Sequence, residues 1–232
     1  MNKVYATGDT HIDLDVKKLS FKNWPESRKL TKNDYLIVCG DFGLIWANNP
    51  SPWEIYWMKW FNERPYTTLF VDGNHENFYR LFQLKIIEKF GGKVGQVSDS
   101  IFHLKRGEIY TIAEKKFFCF GGAESIDKES RLVGISWWKE EVPTHVEMDY
   151  GLENLEKHDN KVDFIISHTL PTCFKRVLGY GDYKDKWTDP TCKFLQHLYE
   201  TIEFKNGFGG HFHENAVMDK YVALFNNIMR IV

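Results

Sequence analysis

The sequence is short of several things, and each shortage narrows what the protein can be. It has four cysteines, Cys39, Cys119, Cys173 and Cys192, and no CxxC pair. That argues against a zinc ribbon. Cys39 and Cys119 lie inside apolar runs and read as small core residues. Nothing suggests disulfides, which fits a reducing compartment. No apolar run approaches the ~18 residues of a membrane span. The opening MNKVYATGDTHIDLD turns polar at once and lacks the apolar stretch of a signal peptide. A cytoplasmic location, with no membrane partner, is the expectation. A basic surplus is missing too: Lys and Arg number 30 against 32 Asp and Glu, a net charge of −2. Such a balance argues against a dedicated nucleic-acid binder. Nucleic acid stays in view only as a substrate. There is no internal repeat, low-complexity segment or Pro/Gly-rich linker, so residues 1–232 are expected to form a single domain. No obligate protein partner is evident.

What is present is a soluble-protein composition, 43% hydrophobic and 27% charged. Short apolar runs punctuate the chain: KVYATGD (3–9), YLIVCGD (35–41), TTLFVDGN (67–74), KFFCFGG (116–122), VDFIISH (162–168) and GFGGHFH (207–213). Most are β-branched or aromatic, and each is too short for a helix. Continuously apolar strands are buried on both faces. Between them lie helical patterns. Trp53, Tyr56, Trp57, Trp60 and Phe61 follow the spacing of one helix face and are expected to pack in the core. Residues 77–90, 144–158 and 188–204 read as further helices. IFHLKRGEIYTI and KKFFCFGG, within 101–122, read as a strand pair, and 216–232 as another. This mixture makes a layered α/β sandwich.

The strand ends share a chemistry. They read Gly8-Asp9-Thr10-His11, Gly40-Asp41, Gly73-Asn74-His75-Glu76, Ser167-His168 and Gly210-His211-Phe212-His213. Any one is weak evidence, since a lone GD or DxH is mostly chance. Five together, each ending an apolar strand, point to a site on a rigid scaffold. Asp, Asn and His in this mixture are ligands for borderline-hard divalent metals. Asp9, His11, Asp41, Asn74, His168, His211 and His213 are too many for one ion and suit two ions sharing a carboxylate. The remaining histidines, His103, His145, His158 and His197, match no motif and read as structural or surface residues.

In this order, DxH, GD, GNHE, a histidine and GHxH, the sequence resembles the calcineurin-like metallophosphoesterases, over nearly the whole chain. The resemblance implies a four-layer α/β/β/α sandwich of mixed sheets with flanking helices. It implies a phosphomonoesterase or phosphodiesterase holding two divalent ions, with Mn2+ expected first and Fe, Zn or Ni also suited. Asp9, His11 and His213 would hold one ion, Asn74, His168 and His211 the other, and Asp41 would bridge them. Water bridging two such ions loses its proton near neutral pH and becomes the nucleophile. Asp41 and His75 would be the catalytic residues, His75 protonating the departing oxygen. Asn74 and His75 would also face the substrate.

The Ser/Thr protein phosphatase branch carries GDxxDRG, but here Leu44 and Ile45 replace its second Asp and its Arg. That Asp orients the catalytic histidine and that Arg grips phosphate, so protein dephosphorylation is the weaker reading. Glu76 or Asp72 could replace the orienting Asp. The stretch 121–141 is either a substrate-facing loop, with Arg131 on the phosphate and Trp137 or Trp138 as a wall, or a surface loop anchored by tryptophan. A nuclease, and a non-catalytic scaffold keeping the fold, are the other readings. No ligand position is lost, which disfavours the scaffold.

Overall fold

The computed structural model describes residues 2–12, 14–179 and 189–232. Strands β1 (Val4–Thr7), β2 (Tyr35–Cys39), β3 (Thr67–Val71), β4 (Lys85–Lys89), β5 (Gly92–Ser98), β6 (Ile101–Leu104) and β13 (Ile228–Arg230) form one sheet in the order β13-β1-β2-β3-β6-β5-β4. Strands β7 (Glu108–Ile112), β8 (Lys115–Phe120), β9 (Phe164–Ser167), β10 (Asn206–Gly209), β11 (Ala216–Met218) and β12 (Tyr221–Ala223) form the other, in the order β11-β12-β10-β9-β8-β7. Each sheet is parallel in its middle and antiparallel at its edges.

Alternation along the central strands builds three apolar layers. Val4, Ile37, Leu69 and Val71 share one cluster with Phe117, Cys119, Ile166 and Phe208, so this layer lies between the sheets. Their neighbours Tyr5, Leu36, Val38 and Phe70 turn outward onto Phe61 of helix α1 (Pro52–Asn62) and onto Trp24 and Trp138. On the other sheet, Phe118, Phe120 and Ile165 turn outward onto helices α3 (His145–Glu156), α4 (Thr172–Val177) and α5 (Pro190–Thr201), through Met148, Leu155, Phe174, Phe194 and Leu198. Helix, sheet, sheet, helix is the four-layer α/β arrangement. Because the strands are covered on both sides, their sequences show continuous apolar runs. Among the described residues no helix is long and apolar enough to cross a membrane.

Four readings of the sequence need correction. Residues 77–90 do not form one helix. A short helix α2 (Phe78–Leu81) is followed by the edge strand β4, and Phe90 and Gly91, both at positive φ, turn the chain into β5 with Lys89 opposite Gly92. Two consecutive left-handed residues are what a tight hairpin turn needs. Residues 101–112 are not one strand either. Gly107, at φ 80°, breaks them, so β6 joins the first sheet and β7 the second. In 216–232, β11 and β12 pair as expected, but β13 crosses back to lie antiparallel to β1. The aromatic stripe of α1 is only partly core: Phe61 is fully buried, while Trp53 and Tyr56 are 40% and 60% exposed. The helix is an outer layer and has only one covered side. The reading 188–204 matches α5, residue 188 lying outside the described residues.

Candidate metal centre

The parallel strands β1, β2 and β3 of one sheet and β9 and β10 of the other end at one place. Thr10 N and His11 N both donate to the Asp41 carbonyl, at 3.1 and 3.0 Å. The His168 ring meets the Cys39 carbonyl at 2.9 Å, and Gly210 N donates to the His168 carbonyl at 2.6 Å. Seven residues from five strand ends are thereby gathered at one seam between the sheets. The glycines make room. A Cβ on Gly40 would overlap the His168 ring, and one on Gly210 would overlap the Asp9 carboxylate. His11, Asp41, His211 and His213 have φ of 37°, 46°, 68° and 53°. The left-handed region is costly for such residues and is concentrated at functional sites.

Two tight groups of ligand atoms result, Asp9 with His11 and His213, and His11 with Asp41 and His75; within each the atoms lie within 4.8 Å of one another. Asp9 Oδ2 faces His213 Nε2 at 3.0 Å, and its Oδ1 accepts from His211 N at 2.9 Å. Asp41 faces two ways. Its Oδ2 lies 3.3 Å from His11 Nε2, and its Oδ1 lies 3.4 Å from His168 Nε2. Asn74 Oδ1 is 3.0 Å from that same His168 nitrogen. The His168 and His211 rings lie 4.9 Å apart, edge to face. His211 and His168 fall outside the two tight groups, whereas His75, expected to protonate the departing oxygen rather than to hold an ion, falls inside one.

The electrostatics fit a cation. Asp9 and Asp41 are buried, and their direct ion pairs are with histidines. Burial opposes their charge, but the neighbouring imidazoles hold Asp9 below, and Asp41 well below, the usual carboxylate range. The same coupling works in reverse on the rings. Burial lowers His11 and His168, yet Asp41 outweighs it and lifts them to about 9 and about 10. Burial, and then the charge on His168, pushes His211 down to about 3. Nitrogen assignments point the same way. A neutral His168 donates from Nδ1 to Cys39, leaving the Nε2 lone pair toward the oxygens of Asn74 and Asp41. Acceptors converging on acceptors need a proton or a metal ion between them. His11 is prepared alike, with Nδ1 3.1 Å from Asp15 Oδ2 and Nε2 toward Asp41. A carboxylate or carbonyl on the far nitrogen is the usual support of a metal-binding histidine.

Other expectations meet mixed outcomes. Neither Asp72 nor Glu76 touches His75. Asp72 is held by Arg106 at 2.6 Å and by His103 at 3.0 Å, and Glu76 accepts from Phe42 N at 2.8 Å. Both carboxylates serve the backbone and core beneath the loop. Instead, Arg131 Nη2 reaches His75 Nε2 at 3.1 Å, and Trp46 stacks on the His75 ring at 5.7 Å. Burial lowers His75, and Arg131 adds to that against the pull of Asp41. Leu44 and Ile45 point into the core. In the 121–141 stretch Trp138 is fully buried and anchors the loop, while Arg131 contacts His75.

Three supporting residues were missed. Asp15 was within sight, four residues after His11 in a run rich in aspartate. Ser125 contacts Asn74 Nδ2 at 3.1 Å, and Glu141 binds Ser125, but both belong to a loop whose sequence carries no period.

A family model, the calcineurin-like phosphoesterases, matches residues 2–215. None of the curated proteins compared matches the chain.

Proposed function

Because the chain belongs to the calcineurin-like phosphoesterases, and is therefore a metal-dependent hydrolase of phosphate esters, we propose that it works with two divalent ions on small phosphate monoesters or diesters. Asp9, His11 and His213 hold one ion, Asn74, His168 and His211 the other, and Asp41 serves both. The observation that carries this reading is Asp41 itself, which turns one oxygen to His11 and the other to His168. When bound, the ions offset phosphoryl charge and activate water. Mn2+ suits the mixture of carboxylate, amide and imidazole donors, as do Fe, Zn and Ni. A cytoplasmic setting agrees with four free cysteines.

The remaining roles belong to the chain's own side chains. Arg131 is always charged and only donates, so the His75 nitrogen it touches carries no proton in this arrangement. A substrate phosphate attracts Arg131 more strongly than a neutral ring does. Once Arg131 turns to the phosphate, His75 Nε2 is free to take up the proton that it delivers to the leaving oxygen. In this reading His75 stands on the substrate side, although it lies near enough to His11 and Asp41 to be drawn in as a ligand. Protein dephosphorylation is disfavoured because Leu44 and Ile45 are core residues.

The test combines metal analysis with a panel of monoesters, diesters, nucleotides, polynucleotides and phosphoproteins assayed with added Mn2+. Two ions per chain are expected, with turnover of small esters, and Asp41→Asn should lower occupancy at both sites and nearly abolish activity. At most one specifically bound ion in fully active protein would refute the two-ion reading. Turnover of phosphoproteins, with none of small esters, would refute the substrate class.

A further inference from the structure

The loop 121–141 is fastened to the metal centre through a chain of hydrogen bonds whose direction is determined at its far end. Glu141 is fully buried. Its Oε1 accepts two N–H groups, from Ser125 N at 2.6 Å and from Trp137 Nε1 at 2.9 Å. Its Oε2 lies 2.7 Å from Ser125 Oγ. A carboxylate can only accept, so the Ser125 hydroxyl spends its single proton on Glu141. Ser125 Oγ then has only lone pairs left for its other neighbour, the Asn74 amide at 3.1 Å. An amide facing a lone pair must present its NH2. Its Oδ1 is therefore turned the other way, toward His168 Nε2 at 3.0 Å.

We infer that Glu141 is a positioning residue for the metal centre: through Ser125 it orients the Asn74 amide, so that Oδ1 rather than NH2 faces the ion. The inference rests on the two-ion reading and assigns this work to the ion held by Asn74. Neither Glu141 nor Ser125 touches the reacting atoms. Both ends of the 125–141 loop meet at this carboxylate, so the loop that carries Arg131 to His75 and the ligand next to His75 are set by one group.

The discriminating variant is Glu141→Gln, which keeps the size and shape of the side chain. Its oxygen must stay at the Oε1 position, because two N–H groups point there. Its NH2 then falls at the Oε2 position and donates to Ser125. The hydroxyl proton is displaced toward Asn74, and the amide is driven to flip. A purely structural carboxylate would tolerate this isostere, whereas a positioning carboxylate would not. Metal-free wild type, Glu141→Gln and Ser125→Ala are titrated with Mn2+ by calorimetry, and thermal melts of the metal-free proteins are compared. Two ions are expected in wild type. In Glu141→Gln the affinity of one ion should fall roughly 10- to 100-fold, the size of effect usual for groups supporting a ligand. The other ion and the metal-free melt should stay unchanged, and excess Mn2+ should restore activity. Ser125→Ala, which frees the amide without reversing it, should weaken the same ion less. If Glu141→Gln does not fold, Ser125→Ala decides on the same readout. Two ions bound as in wild type by the folded variants, or equal weakening of both ions, would overturn the inference. A single ion in wild type would instead remove the two-ion reading, and this inference with it.

Discussion

His75 is held by three unlike neighbours: Asp41 accepts from its backbone N–H at 2.7 Å, Trp46 covers its ring, and Arg131 meets its Nε2. The backbone contact keeps it beside the metal centre whatever the ring does. Its value as an acid depends on how badly the leaving oxygen needs a proton. An alkoxide needs one, and a nitrophenolate leaves readily as the anion. General acid catalysis is worth about 10²–10⁴-fold, so His75→Ala should lose roughly that much kcat on an alkyl ester. On a nitrophenyl ester it should lose far less, with metal content near wild type. The measurement is kcat on both esters with bound metal checked in parallel. Equal losses would show that His75 is no leaving-group acid, and lost metal would make it a ligand.

At the scale of elements, local signals decide how much of the fold can be read in advance. Helix α3 announces itself. Thr144 accepts from Glu147 N at 3.2 Å, and Glu147 Oε2 returns to Thr144 N at 2.8 Å. Such reciprocal capping is lost in Thr144→Ala, which should cost about 1 kcal/mol, read from denaturant unfolding with activity unchanged. The gathering of the site's polar side chains at one seam is equally legible, because they follow the ends of apolar strands and most stand beside a glycine or a small residue. Other features depend on partners far away in sequence. The run KIIEK suits a strand by its β-branched residues, yet it also continues the helical pattern begun at Phe78. Only the turn at Phe90–Gly91, which sets Ile87 opposite Val94, decides the matter. Likewise β13 pairs with β1 across the whole length of the chain, and nothing local in Ile228–Arg230 names that partner. The Glu141 relay was hidden for the same reason, since Asn74, Ser125 and Glu141 meet only once the loop has folded over the strand ends.

For the molecule as a whole, the candidate metal centre would also be a fastening. Asp9, Asp41 and Asn74 follow strands of one sheet, and His168 and His211 follow strands of the other. Ions that bind these residues bind only the folded arrangement and should raise its stability by mass action. At an ion concentration 100 times its dissociation constant the gain is about 2.7 kcal/mol for each site. Chelation should therefore lower the melting temperature, and Mn2+ should restore it in a concentration-dependent way. An unchanged melt across that range would mean that the seam is held without ions. The left-handed backbone at His11, Asp41, His211 and His213 has a bearing of another kind. Glycine or asparagine would sit there at less cost, so a lineage released from this chemistry has an easy route to a sturdier and inert descendant. Four strained side chains in one cleft are a cost in durability that a site for chemistry accepts. Several turns elsewhere, at Phe90, Ala113 and Asp159 among others, share such angles, but among the described residues only in this cleft do four of them carry carboxylate and imidazole side chains to one place.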